Sequence, residues 1–199
     1  MRMRSRFVLL AFLALALGAC VAPKEGTGQA APAVPASTSP ATAAAAPRGP
    51  ARPPPPGIVP PARRRPAPAL RVTSFDGQTV TLDGFRGRPA LVSFFESWCP
   101  ICKVEQPDLS RVAREFAGRV GFVGVSYHDT VAGGRAYQRR FGVSYPLAND
   151  ASGRTWARWH VPYQPVTVLV DKRGRIAERF DGGTTGGTLS AALAYLAAE

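Results

Sequence analysis

The sequence predicts an α/β domain with a mixed central sheet flanked by helices, occupying residues 69–199. Three observations carry this. Apolar runs of strand length alternate with segments of helical period between residues 90 and 159. Two alternating runs flank an Asp-Gly pair at residues 76–77, the signature of a hairpin. The chain then closes with two more strand-like runs and a helix, so the sheet cannot be wholly parallel. About 130 residues suffice for one domain with a proper core, and no internal repeat is present.

Taken in order, residues 70–75 and 78–82 form the N-terminal β-hairpin around Asp76-Gly77. Residues 90–95 (Ala, Leu, Val, Ser, Phe, Phe) form an unbroken apolar run, expected as a buried strand. Lys103 opens an expected helix over 103–117, with Val104, Leu109, Val112, Ala113 and Phe116 on its apolar face and Pro107 expected to kink it. Residues 120–126 read as a second buried strand, 131–141 as a helix and 151–159 as a short one. An inserted β–α segment is expected within this order. Residues 165–171 and 175–180 are strands joined by Lys172-Arg173-Gly174, and 188–198 is the closing helix.

The chain ahead of the domain has another character. Arg2, Arg4 and Arg6 precede an apolar run over 7–17 that is too short to span a bilayer, so residues 1–19 read as a signal peptide. Leu17-Gly18-Ala19-Cys20 resembles a bacterial lipobox, which implies a lipid on Cys20 and anchoring to the outer face of the cell membrane. An ordinary secretory signal cleaved near Ala19 is the alternative. Either reading places the domain outside the cytoplasm, where disulfides persist. Residues 20–68 are expected to be a disordered tether. Fourteen of the chain's 20 prolines fall there, and the composition cannot bury enough apolar surface to fold. The formal net charge of +12 is spread over signal, tether and domain. Arg63-Arg64-Arg65 reads as a basic tract able to touch anionic lipid or wall polymers. Nucleic acid is not an expected partner of an exported chain.

The chemistry lies in Trp98-Cys99-Pro100-Ile101-Cys102. Two thiols three residues apart sit where a strand turns into a helix, with the first sulfur at the helix N-terminus. Unpaired N–H groups and the helix dipole there favour thiolate, below the free-thiol value of about 8.5. A second thiol one turn away can resolve a mixed disulfide, so reversible dithiol/disulfide exchange is the leading chemistry. A structural zinc site would need four ligands, and neither His128 nor His160 has a neighbour at metal spacing. A copper site using Cys99, Cys102 and one histidine, or a purely structural disulfide, stays open as an alternative. No metal and no cofactor is expected.

From residue 70 onward these residues resemble the extracytoplasmic thioredoxin-like family of the TlpA/DsbE type. The match includes Leu82-Asp83-Gly84-Phe85-Arg86-Gly87, the Trp98–Cys102 motif with Lys103-Val104-Glu105-Gln106-Pro107, Gln164-Pro165, and Val170-Asp171-Lys172-Arg173-Gly174. Residues 156–165 are similar to secreted actinobacterial members that behave as disulfide oxidants. The resemblance implies a thioredoxin-like fold. It makes Cys99 the attacking and leaving sulfur, Cys102 the buried resolving thiol, Trp98 a shield, and Pro100 and Ile101 the determinants of turn geometry and redox poise. It makes Pro165 a cis-proline that exposes the Gln164 backbone to a client chain as an added strand.

One departure is visible. Cytoplasmic thioredoxins place a buried carboxylate six residues before the first cysteine, where this chain has Ser93. Glu96 and Glu105 flank the motif and are candidates to substitute for that carboxylate, although a solvated surface position is the commoner reading of each. The function implied is a membrane-tethered thiol–disulfide oxidoreductase acting on exported protein thiols and disulfides, recharged by a membrane redox partner. Ser93 and the 156–165 resemblance lean towards an oxidant in oxidative folding. A reductant of apocytochrome c cysteines is the alternative, and a thiol peroxidase or a metal-binding lipoprotein represents other classes.

Overall fold

The computed structural model describes residues 53–199, so the expected signal peptide, Cys20 and most of the expected tether lie outside the described residues. Seven strands and four helices follow in the order β1 (Arg71–Ser74), β2 (Thr79–Thr81), β3 (Ala90–Phe94), α1 (Pro100–Glu115), β4 (Gly121–Ser126), α2 (Val131–Arg140), β5 (Leu147–Asn149), α3 (Arg154–Arg158), β6 (Val166–Val170), β7 (Ile176–Asp181) and α4 (Gly186–Ala198). One mixed sheet has the order β2-β1-β5-β4-β3-β6-β7. It is the expected α/β class. The hairpin closes through Gly77 at φ +86°, a conformation that only glycine adopts without strain. The inserted β–α segment is β5 with α3, and β5 is too short to show as a period in the sequence.

β3 is the centre of the sheet. It pairs in parallel with β4 and antiparallel with β6. Leu91 points to one face, among Leu109, Val112, Phe116, Leu189 and Leu193. Ala90, Val92 and Phe94 point to the other, among Val123, Val125, Trp156 and Trp159. Both faces are covered, which is why this strand reads as an unbroken apolar run rather than an alternation.

Helix α1 starts at Pro100, three residues before the expected Lys103, because Pro100 is itself suited to the first helical position and the Cys99 side chain caps the turn. Pro107 lies inside the helix. Val104 is a correction: it is 82% exposed rather than on the buried face. Five residues separate it from Leu109, which at the α-helical period turns it about 140° away.

The tether boundary also moves. Residues 53–68 were expected to be disordered, yet they run along the edge strand β7 and hydrogen-bond to it. Val59 N–H donates to Ala177 O, Ile176 N–H to Arg65 O, and Ala67 N–H to Gly174 O. Ile58 is buried in the core. Gly57, at φ +93°, lets the arm pass over the Glu178 carboxyl, which a Cβ would strike. Arg64 leaves the expected basic tract altogether. Its guanidinium is buried and donates to Asp171 Oδ2 at 3.2 Å, to both carboxylate oxygens of Glu199 and to Val59 O. An edge strand with free N–H and C=O groups gains by being covered. One arginine matched to two carboxylates then pins the cover. Neither partner is visible from local composition, which is why the Pro-rich stretch reads as unfolded throughout.

Candidate active site: a dithiol at a helix N-terminus

Cys99 and Cys102 are free thiols and nearly buried, at 4% and 2% exposure. β3 delivers the chain to the turn and α1 begins at once after it. Cys99 is the N-cap, and its Sγ accepts the Cys102 N–H at 3.2 Å. An N–H aimed at sulfur is the bond that a thiolate leaving group receives. Cys102 lies in the first turn among apolar side chains. Burial, then the bond with Cys99, pushes its thiol far above the ordinary range.

Both flanking carboxyls are buried, which corrects their reading as solvated residues. Glu105, one turn beyond Cys102 in α1, is 6% exposed. Burial raises its carboxyl to about 7, against the opposing effect of the Thr184 N–H that its Oε1 accepts at 3.0 Å. Its Oε2 has no partner within the protein. Glu105 follows Cys102 by three residues in α1, and its negative charge is a further, smaller reason that the Cys102 thiol resists ionisation. Glu96 is fully buried at the end of β3, and its Oε1 accepts the N–H groups of Tyr127 and His128. Burial raises its carboxyl too. Ser93, where a buried carboxylate was missed, is buried and neutral as the sequence requires. The domain therefore does carry buried acids beside the dithiol, Glu96 just after β3 and Glu105 in α1.

The turn itself is braced. Asp129 accepts both the backbone N–H and the hydroxyl of Ser97, and Asn149 holds the Asp129 carbonyl. Sequence reasoning missed this brace, because Ser97 and Asp129 are 32 residues apart and meet only through the β3–β4 pairing. Below the turn, Tyr137 OH donates to Cys102 O at 2.9 Å.

The Gln164–Pro165 peptide is cis, as the resemblance implied. Pro165 is buried and Gln164 half-buried at the start of β6. Val166 pairs with Phe94, the last residue of β3, so this start lies at the same end of the sheet as the dithiol. Gly182 N–H donates to Pro165 O, and the next residue, Gly183, approaches Ile101. Trp98 and Ile101, which flank Cys99 and Pro100 in sequence, are both more than half exposed, whereas Cys99 itself is buried. The histidines play other parts. The His128 ring stacks on Tyr127 at 3.8 Å, and His160, in left-handed backbone at the end of α3, offers its carbonyl to Arg179. Among the described residues no three metal-ligating side chains gather.

Residues 64–179 match the family model described as the AhpC/TSA family. Among curated proteins, the soluble secreted antigen MPT53 of Mycobacterium tuberculosis is 35% identical over 103 residues, 52% of this chain and 56% of that protein. The thiol:disulfide interchange protein DsbE of Allochromatium vinosum is 33% identical over 118 residues, 58% of this chain and 64% of that protein. The chain thus spans less than two thirds of the length of these relatives. Among solved structures, a secreted Mycobacterium tuberculosis disulfide oxidoreductase homologous to E. coli DsbE superposes with a TM-score of 0.58 at 29% identity, covering 64% of this chain and 96% of that one. A DsbF homologue from Corynebacterium diphtheriae, at 22% identity and TM-score 0.66, shares the fold over 70% of this chain and 91% of that one. With a family model matched over more than half its length and DsbE-type proteins among its relatives, the chain belongs to the AhpC/TSA family of thioredoxin-like proteins.

Proposed function

We propose that this domain is an extracytoplasmic protein thiol–disulfide oxidoreductase, tethered to the membrane through lipidated Cys20, that passes a Cys99–Cys102 disulfide to exported proteins. The observation that carries the reading is the pairing of Cys99, capping α1, with a buried Cys102 beside Glu105. A client thiolate attacks Cys99 Sγ. The Cys99–Cys102 bond breaks, and Cys102 leaves with the electron pair. Burial makes a lasting Cys102 thiolate costly, so it takes a proton, and buried Glu105, one turn on in α1 and raised to about 7, is the donor we assign. A second client thiolate then attacks the client sulfur of the mixed disulfide, and Cys99 leaves on the helix N-terminus. Two electrons end on the domain, and a membrane redox partner removes them. The Gln164 backbone ahead of cis-Pro165 serves as the edge that aligns the client chain. Trp98, Pro100 and Ile101 shape the turn.

A second thiol beside the first favours exchange over peroxide reduction, which needs a lone cysteine in an anion-binding turn. Within exchange, the Ser93 argument for an oxidant loses force once Glu105 is recognised. A base near neutrality would equally serve a reductant that must deprotonate Cys102. The oxidant reading keeps the similarity of residues 156–165 and the N–H that stabilises reduced Cys99. Equilibration against a glutathione series decides between them. A potential more oxidising than thioredoxin's roughly −270 mV is expected, and a value at or below it promotes the cytochrome-maturation reductase. In cells, Cys102→Ser should trap mixed disulfides and Cys99→Ser almost none; equal trapping would reverse the two roles. Cys20→Ser should release the protein from membranes, and unchanged fractionation would reject the anchor.

A further inference from the structure

At the end of the sheet away from the dithiol lies a cavity of about 440 Å³. Its position follows from the strands: Ala90, which opens β3, and Val170, which ends β6, both line it. Its walls divide in two. The floor is apolar, with Leu70, Leu82 and Phe85 alongside Ala90 and Val170, and the rim carries Arg86, Arg88, Arg173 and Arg175.

These guanidinium groups are not equivalent. Arg175 is engaged by Asp171 and by the Pro61 carbonyl. Arg86 makes only a solvent-exposed pair with Asp83, which holds little free energy. Arg88 lies 5.7 Å from the Phe85 ring centroid, with a long 3.5 Å bond to Gly118 O. Arg173 is exposed, and only its backbone N–H is bonded. The rim therefore keeps two cations with donors to spare and a third in a labile pair, above an apolar floor; the two carboxylates of the lining, Asp83 and Asp171, are already taken up by Arg86 and by Arg64 with Arg175. A simple polyanion would use the rim and leave the floor in water. A ligand with an anionic head and an apolar body uses both, and the volume falls within the ordinary range of small-molecule sites.

We propose that this cavity binds the headgroup of an anionic phospholipid at the bilayer surface, so that the domain rests on the membrane by the end opposite its dithiol. The phosphate sits among Arg86, Arg88 and Arg173, and the glycerol and first methylenes lie on Leu82 and Phe85. The dithiol and the exposed Trp98 and Ile101 then face away from the lipid, towards exported clients. The site is independent of a lipid on Cys20.

The test uses the full-length Cys20→Ser chain, so that no acyl anchor contributes. Sedimentation with phosphatidylcholine vesicles, with and without phosphatidylglycerol, measures affinity. Binding that requires phosphatidylglycerol is expected. Arg88→Glu and Arg173→Glu should each weaken it by fivefold or more, the equivalent of about 1 kcal/mol for each cation near an anionic leaflet. Arg154→Glu makes the same charge change on exposed α3, beside the far end of β4, and should have less than half that effect. Dihexanoyl phosphatidylglycerol below its micelle concentration should compete with the vesicles, whereas glycerophosphate and polyphosphate should not. Equal losses in all three variants would reduce the effect to net charge. Competition by polyphosphate as strong as by the short-chain lipid would make the partner a polyanion such as a wall polymer. Vesicle binding without phosphatidylglycerol dependence would remove the site. Each of these results overturns the proposal, and thiol-exchange activity of the same preparations reports that the variants are folded.

Discussion

The two ends of the sheet present opposite surfaces. Trp98, Ile101, Val104, Val131 and Tyr163 are the exposed large hydrophobic side chains of the described residues, and all belong to segments at the end of the sheet that carries the dithiol. Trp98 and Ile101 flank Cys99, Val104 follows in α1, Val131 opens α2 next to the Asp129 that braces Ser97, and Tyr163 precedes cis-Pro165. The other end carries Arg86, Arg88, Lys172, Arg173 and Arg175, with Arg64 buried beneath. The same fold thus gathers its exposed apolar side chains at one end of the strands and a group of arginines at the other. Exposed apolar side chains clustered at one place mark a contact surface. Cations favour the end where α1 finishes, since Arg114 occupies the last turn of that helix. The comparison teaches that stability and chemistry are lodged at different ends, and it can be broken by experiment.

The largest effect is expected at the charged end. Arg64→Ala removes one member of a buried cluster and leaves Glu199 without its partner there and Asp171 with Arg175 alone. It should cost about 3 kcal/mol in urea unfolding and loosen residues 53–60 to protease, while the reduction potential stays unchanged. A shifted potential would mean the two ends are coupled. Next, Glu105→Gln keeps the acceptor for Thr184 N–H but cannot exchange a proton with Cys102. Exchange should slow by roughly a hundredfold, the usual scale of general acid–base help, and the inflection near pH 7 in its pH profile should vanish. A rate loss with the inflection retained would assign that inflection elsewhere.

Stability against pH comes third. Burial lifts Glu105 and Glu178 to about 7 in the fold, above the ordinary 4.5. Between those values the folded state holds protons that the unfolded chain has lost. Stability contributed by these groups is therefore complete below pH 4.5 and is lost as pH rises through about 7. A fall of about 1–3 kcal/mol over that window is expected for each group, and Glu105→Gln or Glu178→Gln should each flatten one share of it. A flat profile in the unmodified protein would place both carboxyls in water. The smallest effect belongs to the apolar end. Val104→Ser should change unfolding free energy by less than about 0.5 kcal/mol, because the side chain is already in solvent, yet lower turnover of an unfolded client severalfold. Unchanged turnover would make Val104 a bystander.

Much of this was legible beforehand, for identifiable reasons. The strand runs 90–95 and 120–126 are apolar on both faces because helices cover both, and such runs need no context to be read. The cysteine pair between a strand and a helix carries its chemistry in its spacing. What misled was burial of single side chains. Glu105 looks like any charged residue of a helix, and only the Thr184 loop packed over α1 makes it a desolvated acid. Val104 looks like core because it is apolar, yet its five-residue offset from Leu109 turns it to solvent. The arm over 53–68 looks unfolded because its partners, β7 and the Asp171–Glu199 pair, are more than a hundred residues away.

The sequence by itself determined the element order apart from β5, the mixed sheet, the dithiol and the turn residues, since these depend on period, spacing and backbone allowance within a few neighbours. Only the tertiary structure decided which carboxyls lose water, where the arm lies, and that the exposed apolar side chains come together at the dithiol end. Desolvation and charge pairing depend on what packs within a few ångströms. That is set by strand register and helix phase across the whole domain, not by the residues next in line.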